Sequence, residues 1–466
     1  MRLYNSLTRR IEEVKPSDGR TVKVYSCGPT VYRYAHLGNY RTFMLGDLIR
    51  RALRSEGQDV YWVMNITDVG HMTDDQTDRG PDRMDVAVRD EGLEPLAIAE
   101  KYTKAFLEDS DAVGIERADA YPKATDHIRE MLELIEQLMA RGHAYEVEGN
   151  VYFDVESFPS YGTLSGNTLD ALRGGAREDL EIDPNKRHQA DFALWKKAAP
   201  GRLMKWPSPW GEGFPGWHIE CSAMSMKYLG DRFDIHTGGN DLKFPHHEDE
   251  IAQSEGATGH AVVGIWVHGG FLQMGRQKMA KSAKNITRVT ELPEQGIDPL
   301  AFRLLCFGTR YRSEMEFSWE ALDQAQQRLI RLRQRVAEWQ EDGAREIGSA
   351  GAEDADRRFR DAVANDLDMP QALVALNDAV SDRSLSAAEK RKLLESWDGV
   401  LGLDLARLAR GDWKPNDQVL ELLRQRDEAR TAKDFAASDR IRDELTSMGL
   451  EVMDTPEGTK VRPRQA

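Results

Sequence analysis

The chain has 466 residues, 40% hydrophobic and 30% charged, with 63 Lys and Arg against 79 Asp and Glu for a net charge of −16. That length predicts two to four domains, and that composition an ordinary globular protein. The acidic total excludes a nonspecific coat of nucleic-acid affinity, although a local basic track suffices for specific contact; no apolar run approaches the ~20 residues of a membrane span and MRLYNSLTRRIEEVKPSDGR holds no apolar signal core, so no membrane partner and a cytoplasmic location are expected.

Three cysteines, Cys27, Cys221 and Cys306, are too few for a disulfide framework and too widely spaced for a zinc finger. On spacing alone they read as buried small hydrophobes.

In chain order, TVKVYSC (21–27) is β-branched and alternating, the pattern of a strand. GPTVYRYAHLGN (28–39) is a turn-rich connection. YRTFMLGDLIRRALRSEG (40–57) has apolar residues at helical spacing and ends at a glycine, and DVYWVMNIT (59–67) is the next strand. This βαβ unit predicts a doubly wound parallel sheet with a ligand site at the carboxyl ends of its strands. Residues 124–145 are predicted helical. From about 150 to 215 the periodicity breaks up among Gly, Pro and Trp (WPSPWGEGFPGW), as an insertion between halves of the sheet would. FDIHTGG (233–239) and VVGIWVHG (262–269) resume the α/β pattern. Beyond about 297 helices are predicted at 320–340 and 355–410, joined by a linker at 341–355. Arg328, Arg331, Arg333 and Arg335 make the first of these locally basic. A last segment, about 416–466, starts as a helix and closes like a hairpin.

Two short stretches suggest phosphate chemistry. HLGN (36–39) stands between the first strand and helix, where backbone N–H groups and the helix dipole favour an anion. His36 and Asn39 can donate to phosphate oxygens, and Gly38 permits close approach. MGRQKMAKSAKN (274–285) sets Lys278 and Lys281 three apart in a small-residue, basic loop, a stretch that by itself reads as a solvated surface. FPHHEDE (244–250) puts His246 and Glu250 four apart, on one face if helical. With Cys27 at a strand end and Cys221 after PGWHIE, these residues would suit a tetrahedral zinc site; their wide separation means that spacing alone favours inert burial for the cysteines and a solvated helix pair for His246 and Glu250.

HLGN and KMAKS (278–282) together resemble the two signatures, HIGH and KMSKS, of class I aminoacyl-tRNA synthetases, which hold ATP during adenylate formation. CGPTVYRYAHLGN (27–39), NITDV (65–69), GWHIECSAM (216–224), DIHTGGNDLKFPHHEDEIAQSE (234–255) and ARTAKDFAASDRIRDELTSMGLEVMDTPEGT (429–459) are similar to segments of bacterial-type cysteinyl-tRNA synthetases, in the family's order. The resemblance spans nearly the whole chain. It implies a Rossmann-like catalytic domain (1–122 and 214–296), a connective insertion without proofreading (123–213), and a lysine-loop and stem-contact segment (297–320). A helical bundle (321–410) and a small C-terminal α+β anticodon-binding domain (416–466) complete the expected order.

By the same resemblance, Cys27, Cys221, His246 and Glu250 fall on positions that bind one Zn2+. His36, Gly38, Asn39, Lys278, Lys281 and Ser282 fall on the ATP site, with Mg2+ accompanying the nucleotide. Gly28, Thr67, Trp217 and Asp241 fall around the amino acid. The implied partners are ATP, L-cysteine and tRNA(Cys), and the implied state a monomer. His218, His236 and His247 flank the same motifs and read equally as support for the metal site or as buried histidines.

Departures from the family pattern are mild. Ala280 stands where serine is usual, which removes one hydroxyl donor and predicts at most a modest rate effect. Asn39 replaces histidine, as is common in the family. NITDVGHMTDD lacks the more usual acidic pair, and Thr237 interrupts a glycine run. Two rivals share part of the pattern. Ligases that join cysteine to an amino sugar in mycothiol synthesis resemble the catalytic half without the full C-terminus. A non-catalytic synthetase-like regulator would typically lose a signature lysine or a zinc ligand.

Overall fold

A computed structural model describes residues 1–74, 79–167, 184–274, 277–278, 287–341, 349–408, 417–432, 434–448, 450–455 and 458–463. Its centre is a four-stranded parallel sheet. Strand β1 (Thr21–Ser26) is followed by helix α1 (Leu37–Ser55) and β2 (Asp59–Met64). Much later come α2 (Trp217–Leu229), β3 (Phe233–Gly239), α3 (His246–Thr258) and β4 (Val263–Gly269). The spatial order is β4-β3-β1-β2, with Val24 opposite Ile235 and Trp62. From the central pair the chain winds outward one way through β1 and β2 and the other way through β3 and β4. The carboxyl ends of β1 and β3 therefore flank a topological switch point, where such sheets bind ligands.

Strand alternation sorts the core into two layers. Val22, Val24, Trp62, Met64, Ile235, Ile265 and Val267 pack with α1. Tyr25, Cys27, Val63 and Trp266 point to the other face, where Ile219, Cys221 and Ile251 of α2 and α3 cover them.

The expected helix at 124–145 is shorter: a 3-10 turn at Ala124–His127, then an α-helix at Ile128–Ala140. Gly142 (φ 81°) ends it, and Ala144–Val147 becomes a strand. That strand begins a four-stranded antiparallel sheet, completed by Asn150–Phe153, Phe192–Lys197 and Gly213–Pro215. Among the described residues, the broken periodicity of this region thus reflects short strands.

Helix α1 begins at Leu37, three residues before the apolar pattern starts, because His36 and Asn39 cap it. The helical half contains Trp319–Glu341, Ala350–Ala364, Met369–Ser381 and Ala387–Leu401. The second of these starts inside the expected linker, since the Ser349 side chain accepts from Ala352 N and caps it. The C-terminal segment forms helices Asp417–Thr431 and Phe435–Ser447 and an antiparallel hairpin, Leu450–Thr455 with Gly458–Pro463, over a small core of Val419, Leu422, Leu445 and Leu450. Among the described residues no helix is long and apolar enough to cross a membrane.

Candidate active site and metal cluster

Cys27 leaves β1 at its carboxyl end, held by its N–H to Thr237 O of β3 at 3.1 Å. Cys221 sits in α2, one helical turn after Trp217. His246 and Glu250 lie one turn apart at the start of α3. Fold and helical phase bring all four together, each 7% exposed or less, with donor atoms within 4.8 Å of one another. The two sulfurs are 3.9 Å apart, and His246 Nε2 is 3.1 Å from Glu250 Oε1. Tetrahedral zinc with Zn–S bonds of about 2.3 Å separates two thiolate ligands by about 3.8 Å, so the donors fit that ion in chemistry and in spacing.

The electrostatics also suit a cation. Burial alone would raise Glu250, yet the charges and hydrogen bonds of His236 and His246 hold it down at about 2. Burial and the neighbouring thiol push Cys27 well up, while its hydrogen bond holds Cys221 at about 7. Burial works against a charged His246, but the Cys221 thiol and the Glu250 carboxylate raise it well above the usual imidazole range. Two thiols and a carboxylate facing one buried space favour positive charge there, and a divalent cation would satisfy the same field.

A second donor set shares two of these residues. Cys27, His236, His247 and Glu250 also bring their donor atoms within 4.8 Å, an overlap that sequence spacing did not reveal. His247 Nε2 is 3.3 Å from Cys27 Sγ, and His236 Nε2 is 2.8 Å from Glu250 Oε2. His247 Nδ1 pairs with His268 Nε2, whose Nδ1 meets Ser6 Oγ, both at 2.8 Å. The first set holds two thiols and the second only one, so the first is the softer site and suits zinc better. His246 is oriented from behind: its Nδ1 is 2.8 Å from His218 Nδ1, and His218 Nε2 is 3.3 Å from Asp249 Oδ2. Tyr161 OH donates to Asp249 Oδ1 at 2.6 Å.

The Trp217 ring stacks obliquely 4.6 Å from His246 and lies 6.2 Å from His71. Gly28 N donates to Asn65 Oδ1 at 2.8 Å, and Asn65 Nδ2 to Thr67 Oγ1 at 3.0 Å. Gly28 and Thr67 are thereby fixed beside the cluster. Asp241 is exposed in a short 3-10 turn directly after β3, with Oδ1 close over Gly239. Two buried groups that the sequence did not single out join this wall, His71 and Glu220, whose Nε2 and Oε1 are 2.6 Å apart. Both lie inside family-like stretches, NITDVGHMTDD and GWHIECSAM, but 149 residues apart, and only the fold pairs them.

At the start of α1, His36 is the N-cap and its N–H donates to Asn39 Oδ1 at 3.1 Å. This commits the Asn39 oxygen to the cap and leaves its Nδ2 as the donor. A Cβ on Gly38 would lie 3.0 Å from the His36 ring and 3.7 Å from Leu272 Cβ. Leu272 belongs to the strand Leu272–Met274, which pairs antiparallel with Gln277–Lys278. Leu37 N also donates to Thr287 O at 2.9 Å. The structure thus places the backbone of Lys278 in a hairpin beside the start of α1. Lys281 and Ser282, like Ala280, lie outside the described residues.

The chain matches the family described as tRNA synthetases class I (C) catalytic domain over residues 13–327. It belongs to the cysteinyl-tRNA ligase family. Residues 416–462 match the cysteinyl-tRNA ligase anticodon binding domain. The cysteine–tRNA ligase of Chlorobaculum tepidum is 44% identical, over 100% of this chain and 99% of its own. Those of Thermus thermophilus and Treponema denticola are 43% and 41% identical over 99% and 97% of this chain, and 98% and 97% of theirs. In fold the chain is similar to Mycobacterium tuberculosis methionyl-tRNA synthetase in complex with methionyl-adenylate (TM-score 0.58, 16% identity, 90% of this chain and 96% of that one). It is also similar to Agrobacterium radiobacter LeuRS in a ternary complex with tRNA (TM-score 0.60, 11% identity, 85% and 86%). These two likenesses concern the fold alone.

Proposed function

We propose that this chain joins L-cysteine to the 3′ end of tRNA(Cys), working as a cytoplasmic monomer. The observation that carries the reading is the buried cluster of Cys27, Cys221, His246 and Glu250 at the switch point, beside Trp217 and next to the start of α1. In the first step a carboxylate oxygen of cysteine attacks the α-phosphorus of ATP, accompanied by Mg2+. Cysteinyl-adenylate forms and pyrophosphate leaves. In the second step the tRNA 3′-end hydroxyl attacks the activated carbonyl and AMP leaves. No protein nucleophile is required, so positioning and charge stabilisation carry the catalysis.

Cys27, Cys221, His246 and Glu250 would hold Zn2+, which when bound supplies a preference for a thiolate over the hydroxyl of serine that an apolar pocket cannot achieve. Trp217 packs along the substrate side chain. Gly28 lets the amino acid approach the backbone, and Thr67 and Asp241 hold its amino end. The α1 terminus directs N–H groups and its dipole at the phosphates, with His36 and Asn39 as donors. Lys278 and Lys281 supply positive charge to the α-phosphate as it reacts, and Ser282 a hydroxyl donor. The C-terminal unit would read the anticodon. Its presence over residues 416–462 favours tRNA over an amino-sugar acceptor.

The test is charging of a tRNA transcript carrying the GCA anticodon, with labelled cysteine or serine, ATP and Mg2+, before and after zinc removal. Zinc-dependent transfer of cysteine and rejection of serine support the reading. Adenylate formation followed by transfer only to a small amine overturns it.

A further inference from the structure

Arg41 sits five residues after His36 on α1 and is 8% exposed. Its Nη1 donates to Gly270 O and Phe271 O, both at 2.6 Å, and its Nη2 to Ser313 O at 2.6 Å and Arg310 O at 3.5 Å. Among the described residues it has no carboxylate partner. A buried cation held only by neutral carbonyls is a costly way to fill a core, so its geometry calls for an explanation beyond packing.

The four carbonyls come from two segments that are distant in sequence. Gly270 and Phe271 lead into the strand Leu272–Met274. The turn 310–313 leads into Met315–Glu316, which pairs parallel with that strand (Leu272 with Met315, Gln273 with Glu316). The segments also bond each other: Gly270 N to Tyr311 O at 2.7 Å and Met315 N to Phe271 O at 2.9 Å. A Cβ on Gly270 would lie 2.3 Å from Ser313 O, so the two backbones are in direct contact. Leu272–Met274 then pairs with Gln277–Lys278, with Gln273 opposite Lys278. One guanidinium therefore gathers the base of the three-stranded unit that carries Lys278, from the helix whose first turn carries His36 and Asn39.

We propose that Arg41 is a positioning residue for the ATP step, holding the Lys278 hairpin and the 310–313 turn in register with the N-terminus of α1. The inference rests on the ligase reading above. A planar fork can satisfy carbonyls of both segments at once, whereas the single ammonium of lysine cannot span them equally. A small displacement between two phosphate-binding elements is enough to cost rate heavily.

The experiment is cysteine-dependent ATP–pyrophosphate exchange by the full chain loaded with zinc, with Arg41→Gln, Arg41→Lys and, as a control, Asp366→Asn. Asp366 accepts from Tyr311 OH and Arg312 Nε at the far side of the same turn, without touching Gly270 or Phe271. For Arg41→Gln the expected result is a rise in KM for ATP and a fall in kcat of about tenfold or more each. Zinc content and KM for cysteine should stay at parental values. Arg41→Lys should fall between, and added methylguanidinium should restore part of the Arg41→Gln activity. Asp366→Asn should lower the melting temperature and leave KM for ATP unchanged. Parental ATP parameters in the Arg41 variants overturn the inference. So does an equal ATP defect in Asp366→Asn, or insolubility of both Arg41 variants, which would make the residue one of folding. No exchange in the parent chain overturns the ligase reading, and this inference with it.

Discussion

Asp47 of α1 and Arg303 form an ion pair that solvent does not reach: Nη2 meets Oδ2 at 2.5 Å with both side chains fully buried. Asp47 also accepts from Arg51 Nε at 3.0 Å and from Glu116 N at 2.9 Å. Arg303, in the helix Pro299–Phe307, donates to Leu401 O at 2.6 Å and Gly114 O at 3.1 Å. Leu401 ends a helix of the C-terminal half, so the pair joins α1 to that half through a region that solvent does not reach.

Arg303→Met removes one of the two guanidinium partners of the buried Asp47, leaving Arg51, and takes the donor from Leu401 O. It is expected to cost about 3 kcal/mol, seen as a lower denaturant midpoint. Arg424→Ala is a useful contrast, since its exposed contacts to Glu421 and Glu428 lie on a single helix surface, where solvent screens the charges and the loss should be much smaller. Equal losses for the two variants would contradict the special weight given to the buried pair.

The two overlapping donor sets make opposite forecasts for two neighbouring histidines. With zinc held by Cys27, Cys221, His246 and Glu250, His246→Ala should abolish stoichiometric metal. His247→Ala should retain it. Metal analysis after dialysis decides the matter, and the reverse pattern would assign the ion to Cys27, His236, His247 and Glu250.

Burial raises Asp109 to about 6 from its ordinary 3.8, against the opposing Tyr40 hydroxyl and Arg288 charge and with a small push from Glu108. A carboxyl raised in the folded state binds its proton more tightly when folded. Its contribution to stability is therefore complete below about pH 4 and is lost as pH rises through about 6. Melting temperatures of the parent, relative to Asp109→Asn, should fall across that window. A difference that stays flat would show that Asp109 carries no such linkage, and one that rises with pH would show the opposite sign.

Gly28 admits no side chain. An added Cβ would lie 1.8 Å from the Asn65 carbonyl oxygen, so Gly28→Ala must displace the junction of β1 with the residues after β2. Overpacking of this kind costs about 1–3 kcal/mol. The same shift moves Thr67, and KM for cysteine should rise more than KM for ATP. An unchanged cysteine KM in a folded variant would place Gly28 outside the amino-acid site.

Much of this protein was legible before folding. The alternation of TVKVYSC and FDIHTGG set two faces of one sheet, because side chains on a strand point to opposite sides whatever their neighbours. The i, i+4 spacing of His246 and Glu250 placed both on one side of a helix by the same local rule. The resemblance named Cys27 and Cys221 as their companions, which spacing across 194 residues could not have done.

Other features were decided only by tertiary contact. The strand Asn150–Phe153 fell where the pattern breaks up, since its second neighbour, Phe192–Lys197, lies far along the chain and is itself paired on its other side with Gly213–Pro215. His247 reaches the thiol of Cys27 as well as His246 reaches Glu250, and helical phase alone did not separate their roles. His71 met Glu220, and Asp47 met Arg303, through packing that no local pattern records. Arg41 is the clearest case. Its partners are backbone carbonyls, which every residue carries alike, so only the fold specifies which four a guanidinium will gather. Periodicity, caps and donor types are local properties and can be read from sequence. The choice among identical long-range partners depends on how the elements pack, and the tertiary structure makes it.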